Sequence, residues 1–183
     1  MPPPRVTSFL SGADWAAKGP QIPAQRFYGA YASAIKESDL SAHGKHQFYA
    51  ENAIFHNQNG VDYHGAEIWP WIVKLFGEFA RLEHDFHAVW ELENENDTVH
   101  LIARVTRHIW APGSDIAGSP TVSLPLSMTC EIGPSTGPEE TPEGLQYRHV
   151  WMYWDTYPLQ PHFPKNAVVF SPINTERESG VGK

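Results

Sequence analysis

A single cysteine, Cys130, is present in 183 residues. A disulfide within the chain is therefore excluded, and nothing points to an oxidising compartment. Cys130 lies in a β-type run and reads as a small core residue rather than a nucleophile. Basic charge is also scarce. Lys and Arg number 13 against 21 Asp and Glu, and the net charge is −8 with the histidines neutral. Without a Lys/Arg cluster the chain lacks the phosphate-neutralising surface that nucleic acids and anionic membranes require. No apolar run approaches the roughly 18 residues of a membrane helix. Met1-Pro2-Pro3-Pro4-Arg5 lacks the apolar stretch of a signal peptide. GxGxxG, P-loop and GxSxG patterns are missing, so neither a nucleotide cofactor nor serine-hydrolase chemistry is indicated. The expectation is one cytoplasmic domain with no cofactor, no nucleic-acid partner and no membrane partner.

Aromatic side chains and histidines are plentiful instead. Seven Trp, seven Tyr and ten His suit a core or pocket wall with groups that titrate near neutrality. Residues 1–23 are rich in Pro, Gly and Ser and are expected to form an irregular N-terminal arm. From Ala24 to Ser38, Phe27, Tyr31, Ala34 and Ile35 fall on one helical face. Ser41 is placed to cap a short second helix reaching Tyr49. A third helix is expected over Ala66 to Phe79, with Ile68, Ile72, Leu75, Phe76 and Phe79 buried. Asn59-Gly60 marks a hairpin turn before it. Four strands follow, over 82–92, 99–110, 121–132 and 145–157. The domain is placed at 24–160, with an extended C-terminal tail over 161–183.

Three blocks carry a resemblance. Phe48-Tyr49-Ala50-Glu51-Asn52-Ala53-Ile54-Phe55-His56, Tyr63-His64-Gly65 and Trp151-Met152-Tyr153-Trp154-Asp155 stand in an order similar to the SnoaL-like branch of the nuclear transport factor 2-like superfamily. That group is related to polyketide cyclases, scytalone dehydratase and ketosteroid isomerase. The resemblance implies an α+β cystatin-like cone. Three N-terminal helices would pack against a curved mixed, mostly antiparallel sheet that encloses one deep pocket. It also implies a homodimer through the outer sheet face, with Trp110, Trp151 or Tyr153 there, and a hydrophobic small-molecule substrate. Such a chain is a lyase or isomerase of secondary metabolism, or a binding protein without chemistry.

The resemblance carries over residue by residue. Tyr31, Asn57 and Ser127 fall where ketosteroid isomerases hold a tyrosine and two aspartates, but Asn57 cannot abstract a proton. Arg104 matches an epoxide-hydrolase arginine, while Thr106 and Met152 replace that group's acids. His84 and His108 resemble the paired strand histidines of scytalone dehydratase, with His56 at a tyrosine position. The expected catalytic groups are therefore His108, His84 and Arg104. Tyr31, Asn57, His56, His87, Ser127, Met152, Trp154 and Thr106 are expected to bind substrate. Ile102, Arg104, Thr106 and His108 share one face of a strand. The last strand turns either Met152 and Trp154 or His149 and Asp155 inward, according to parity. His84 and His87 are three apart on a strand and so point to opposite faces, which disfavours a shared metal, and none is expected.

Overall fold

The computed structural model describes residues 5–37, 40–94 and 97–170. The chain opens with strand β1 (Val6–Ser11) and helix α1 (Gly12–Lys18), followed by helix α2 (Pro23–Ala34). Strand β2 (Tyr49–Asn57), the short β3 (Asp62–His64) and helix α3 (Ile68–Gly77) come next. Four long strands complete the domain: β4 (Arg81–Glu93), β5 (Val99–Trp110), β6 (Val122–Pro134) and β7 (Leu145–Trp154). All seven form one sheet in the order β1-β4-β5-β6-β7-β2-β3, parallel only where β2 meets β7. The fold is α+β, a curled mixed sheet whose inner face is covered by α2 and α3.

Periodicity explains the helices. α2 starts with Pro23 at its first turn, where no N–H partner is lost, and buries Phe27, Tyr28, Tyr31 and Ala34. The expected stripe of α3 is buried in full. Trp71 joins it, stacked on Tyr63 at 4.2 Å. The rings of Phe27, Tyr31, Phe48, Tyr49 and Tyr147 interlock at centroid distances of 4.8–6.2 Å and fill the interior beneath α2.

Several boundaries differ from the sequence expectation. The N-terminal arm is not irregular through residue 23. β1 pairs with β4 at the sheet edge, and the Ser11 hydroxyl caps α1 by accepting from Asp14 N–H. Instead of a helix from Ser41 there is one 3-10 turn, Leu40–Ala42, because the following residues lack an apolar stripe and close a turn at Gly44. β7 stops at Trp154, where the Asp155 carboxylate accepts from Tyr157 N–H and turns the chain before Pro158. Residues 161–170 are no free tail. Phe163, Ala167 and Val169 are buried, and the Glu78 carboxylate accepts from the N–H groups of Val168 and Val169. The remainder of the expected tail, 171–183, lies outside the described residues, as does Ser38.

Parity is settled by β5. Leu101, Ala103, Val105, Arg107 and Ile109 are buried on the inner face, while Ile102, Arg104, Thr106 and His108 alternate outward. The register carries this across the sheet, so Met152 and Trp154 on β7 point inward and His149 points outward.

Candidate functional site

The inner face of β5 is apolar except at one position. Arg107 sits in the row of Leu101, Ala103, Val105 and Ile109 with 1% of its surface exposed. Its guanidinium carbon lies over two rings, 5.1 Å from the centroid of Phe76 on α3 and 4.7 Å from that of Trp154 on β7. Such stacking suits a delocalised cation. Its Nε–H donates to His84 Nε2 at 3.0 Å, and Nη1 faces the Met152 sulfur at 3.9 Å. Among the described residues no carboxylate pairs with it. Burial alone lowers its pKa to about 10, with Tyr31 and Tyr28 acting weakly the other way.

His84 is the neighbour across the β4–β5 register. An arginine nitrogen only donates, so His84 Nε2 accepts and the ring proton sits on Nδ1. That Nδ1 is wholly buried and has no partner among the described residues. Burial, then the charges of Arg107, Lys36 and His108, hold the imidazole pKa well below its ordinary range. At neutral pH the pair is thus a cation beside a neutral donor.

Tyrosine hydroxyls complete the polar interior. Tyr49 donates to the Tyr31 hydroxyl at 2.9 Å, which leaves the Tyr31 proton available to another acceptor. Burial pushes the Tyr31 phenol up to about 12, so it remains a hydroxyl. The Tyr147 hydroxyl is buried without a partner among the described residues. Cys130 lies on the same inner face, pushed up by burial and bonded to the Leu101 carbonyl, as a packing residue.

Of the residues singled out in the sequence, Tyr31, His84, Met152 and Trp154 converge on this interior. The others do not. Arg104, Thr106 and His108 stand on the outer face because β5 alternates in the opposite phase from the one expected. His108 is held there between Ser123 Oγ at 2.8 Å and the exposed Asp85 carboxylate at 2.9 Å. His87 is outward as well, as alternation from the inward His84 requires, on Thr106 Oγ1 at 2.7 Å. Ser127 is outward beside Arg104 and Tyr153. His56 is outward in a stack with Trp151 and His149, bonded to Asp62 at 2.9 Å. Asn57 ends β2 and caps its own turn through Gln58 N–H. Trp110 is no interface residue, being buried with its indole N–H on the Gly118 carbonyl.

Sequence reasoning missed Arg107, Phe76 and Tyr49 as site residues. The signal for Arg107 was present, since Leu101, Ala103, Val105 and Ile109 form an alternating apolar row that one arginine interrupts. Among the described residues no group of three His, Cys, Asp or Glu side chains is arranged to hold a metal ion. No helix there is long and apolar enough to cross a membrane.

Sequence comparison gives little. No family model matches the chain. Over 70 residues it is 36% identical to the beta subunit of phenylalanine–tRNA ligase from Borreliella afzelii, a match covering 38% of this chain and 12% of that protein. Solved structures give more. Nuclear transport factor 2 from Cryptosporidium parvum aligns over 74% of this chain and 93% of its own, with TM-score 0.56 and 15% identity. Hexachlorocyclohexane dehydrochlorinase LinA-type3 from Novosphingobium barchaimii aligns over 73% and 84%, with TM-score 0.54 and 12% identity. A protein assigned to the SnoaL-like polyketide cyclases, from Shewanella putrefaciens, aligns over 85% and 96%, with TM-score 0.50 and 15% identity. These define the class as α+β proteins in which helices cover the inner face of a curled sheet. The chain has the nuclear transport factor 2-like fold, shared by the SnoaL-like proteins. Identity this low establishes the fold alone, and the fold carries both enzymes and non-enzymes.

Proposed function

We propose that the chain is a cofactor-free enzyme of the cyclase, isomerase or dehydratase kind, acting on a hydrophobic polyketide- or terpenoid-like molecule of secondary metabolism. The observation that carries this is the Arg107–His84 pair on the inner face, a fully buried cation and a neutral imidazole whose N–H is buried without a partner among the described residues, beneath the helix that bears the Tyr31 hydroxyl. Such donors stabilise negative charge developing on a substrate oxygen in a water-poor site. His84, kept neutral, acts as an electrophile toward a carbonyl rather than as a base. Arg107 stabilises the resulting enolate, and Tyr31 donates to the same oxygen. Phe76, Met152 and Trp154 supply the apolar wall.

The test is turnover of β-dicarbonyl polyketide mimics. His84→Ala lowers kcat by about 10²–10³-fold while the far-ultraviolet spectrum is unchanged. His108→Ala, on the outer face, leaves kcat within about twofold. Unchanged turnover in His84→Ala, or an equal loss in His108→Ala, refutes the assignment. The second reading, a non-catalytic binding protein, is favoured by the lack of a carboxylate beside Arg107 among the described residues. Ligand binding without turnover of any of these mimics would decide for it. The proposal extends to a homodimer formed by the outer sheet face, on which Phe9, Trp90, Ile102 and Trp151 are displayed.

A further inference from the structure

We infer that the ligand of this site bears a carboxylate, and that the Arg107 fork receives it by way of the groove behind Trp154. The inference rests on the proposed role of the Arg107–His84 pair and adds the charged group that the pair recognises. A guanidinium offers five N–H donors and accepts nothing. At Arg107 the Nε–H is spent on His84, and Nη1 meets only a thioether, a weak acceptor. A cation this deep is retained when an anion joins it, because burying a lone charge is costly. No side chain among the described residues supplies that anion.

Shape narrows the choice. The rings of Phe76 and Trp154 lie within 5.1 Å of the guanidinium carbon and offer it no acceptor in their planes, so its free N–H groups are left for a ligand. A planar carboxylate fits such a fork in bidentate fashion. The surrounding Met152, Phe76 and Trp154 call for an apolar or aromatic body on the acid.

Trp154 also lines an open groove of about 520 Å³ together with Gln58, Arg104, Leu126 and Asp155. That size suits a small organic ligand. Trp154 thus touches both the groove and the buried cation, and the inferred route is opened by rotation of its indole. Exposed Arg104 at the rim attracts anions toward the mouth, and Asp155 on the same rim opposes them.

The experiment compares 2-naphthoate with its neutral isostere 2-naphthamide, by calorimetry and by quenching of tryptophan fluorescence at pH 7. The wild-type chain is expected to bind the acid at least tenfold more tightly than the amide. Arg107→Gln binds both alike, and Arg104→Gln keeps most of the preference. Arg107→Lys, which keeps the charge and loses the fork, reduces the preference and serves should the glutamine variant not fold. Equal affinity in the wild type, no binding of either compound, or a preference lost in Arg104→Gln and kept in Arg107→Gln overturns the inference. Preference for the acid without turnover of any mimic overturns the enzyme proposal alone. Turnover that depends on His84 without that preference overturns this inference alone.

Discussion

Arg107 and His84 stand 3.0 Å apart, and burial works against the charged form of each. A guanidinium that needs a ligand to be satisfied weakens the empty protein. Arg107→Met keeps the length of the side chain beside Phe76 and Trp154 and removes the charge. Replacing buried charges by apolar groups of similar size has stabilised proteins by about 1–4 kcal/mol. The variant should therefore melt higher by several degrees, at about 2–4 °C per kcal/mol, while losing ligand binding. A lower melting temperature would show that the charge is satisfied in the empty protein. His84 gives a pH signature. Unfolded, it titrates near its ordinary value of about 6.5, whereas the folded ring stays neutral well below that. Between the two values the unfolded chain binds the extra proton. Stability is then fully present above about pH 6.5 and falls as the pH drops, by about 1.4 kcal/mol per pH unit at most. Urea unfolding at pH 7.5, 6 and 5 should show a shallower decline in His84→Gln than in the wild type. Parallel declines would mean that His84 titrates normally in the folded state.

Elements were legible where one face alone is buried. The stripe of Phe27, Tyr31, Ala34 and Ile35 gave α2, and that of Ile68, Ile72, Leu75 and Phe76 gave α3. The long strands β4 to β7 stand within a few residues of their expected limits, because charged and Pro/Gly-rich turns bound them. β1 was not legible, since an edge strand with Val6 and Phe9 exposed carries no burial pattern. The site was half legible. Tyr31, His84, Met152 and Trp154 were named for it. The phase of β5 was misjudged, however, by following the polar residues Arg104, Thr106 and His108 instead of the apolar row around Arg107. His84 and His87, three apart on β4, fall on opposite faces by alternation, so only His84 reaches the interior. One glycine sets how α3 joins the sheet. Gly65 has φ +45, and a Cβ there would collide with the Glu51 carbonyl oxygen of β2. Gly65→Ala should thus cost more than about 1 kcal/mol in urea unfolding, whereas Gly77→Ala, with open space around its Cβ, should be near neutral or stabilising. Equal effects of the two would mean that the approach of α3 to β2 is not tight.

Across the whole molecule the outer face carries one continuous row. Phe9, Trp90, Ile102, Thr129, Trp151 and His56 are register partners in succession over six strands. Phe9 packs on Trp90 at 5.5 Å, and His56 stacks on Trp151 at 4.9 Å. An aromatic belt of this kind, flanked by polar rows, has the composition of an interface core, and antiparallel sheets otherwise present polar side chains to water. A second copy of the chain pairing through the belt would remove it from solvent. The expected outcome is a dimer in sedimentation velocity that becomes monomeric in the double variant Ile102→Glu, Trp151→Glu, with the far-ultraviolet spectrum retained. A monomeric wild type at tens of micromolar would refute pairing. The row of Arg104, Ser127 and Tyr153 borders the belt and carries the groove, so the mouth would lie at the edge of the pair rather than beneath it. Because Arg107 is on the opposite face, the monomeric variant should bind 2-naphthoate with affinity within about threefold of wild type, less than 1 kcal/mol. A larger loss would mean that the second copy completes the mouth of the site.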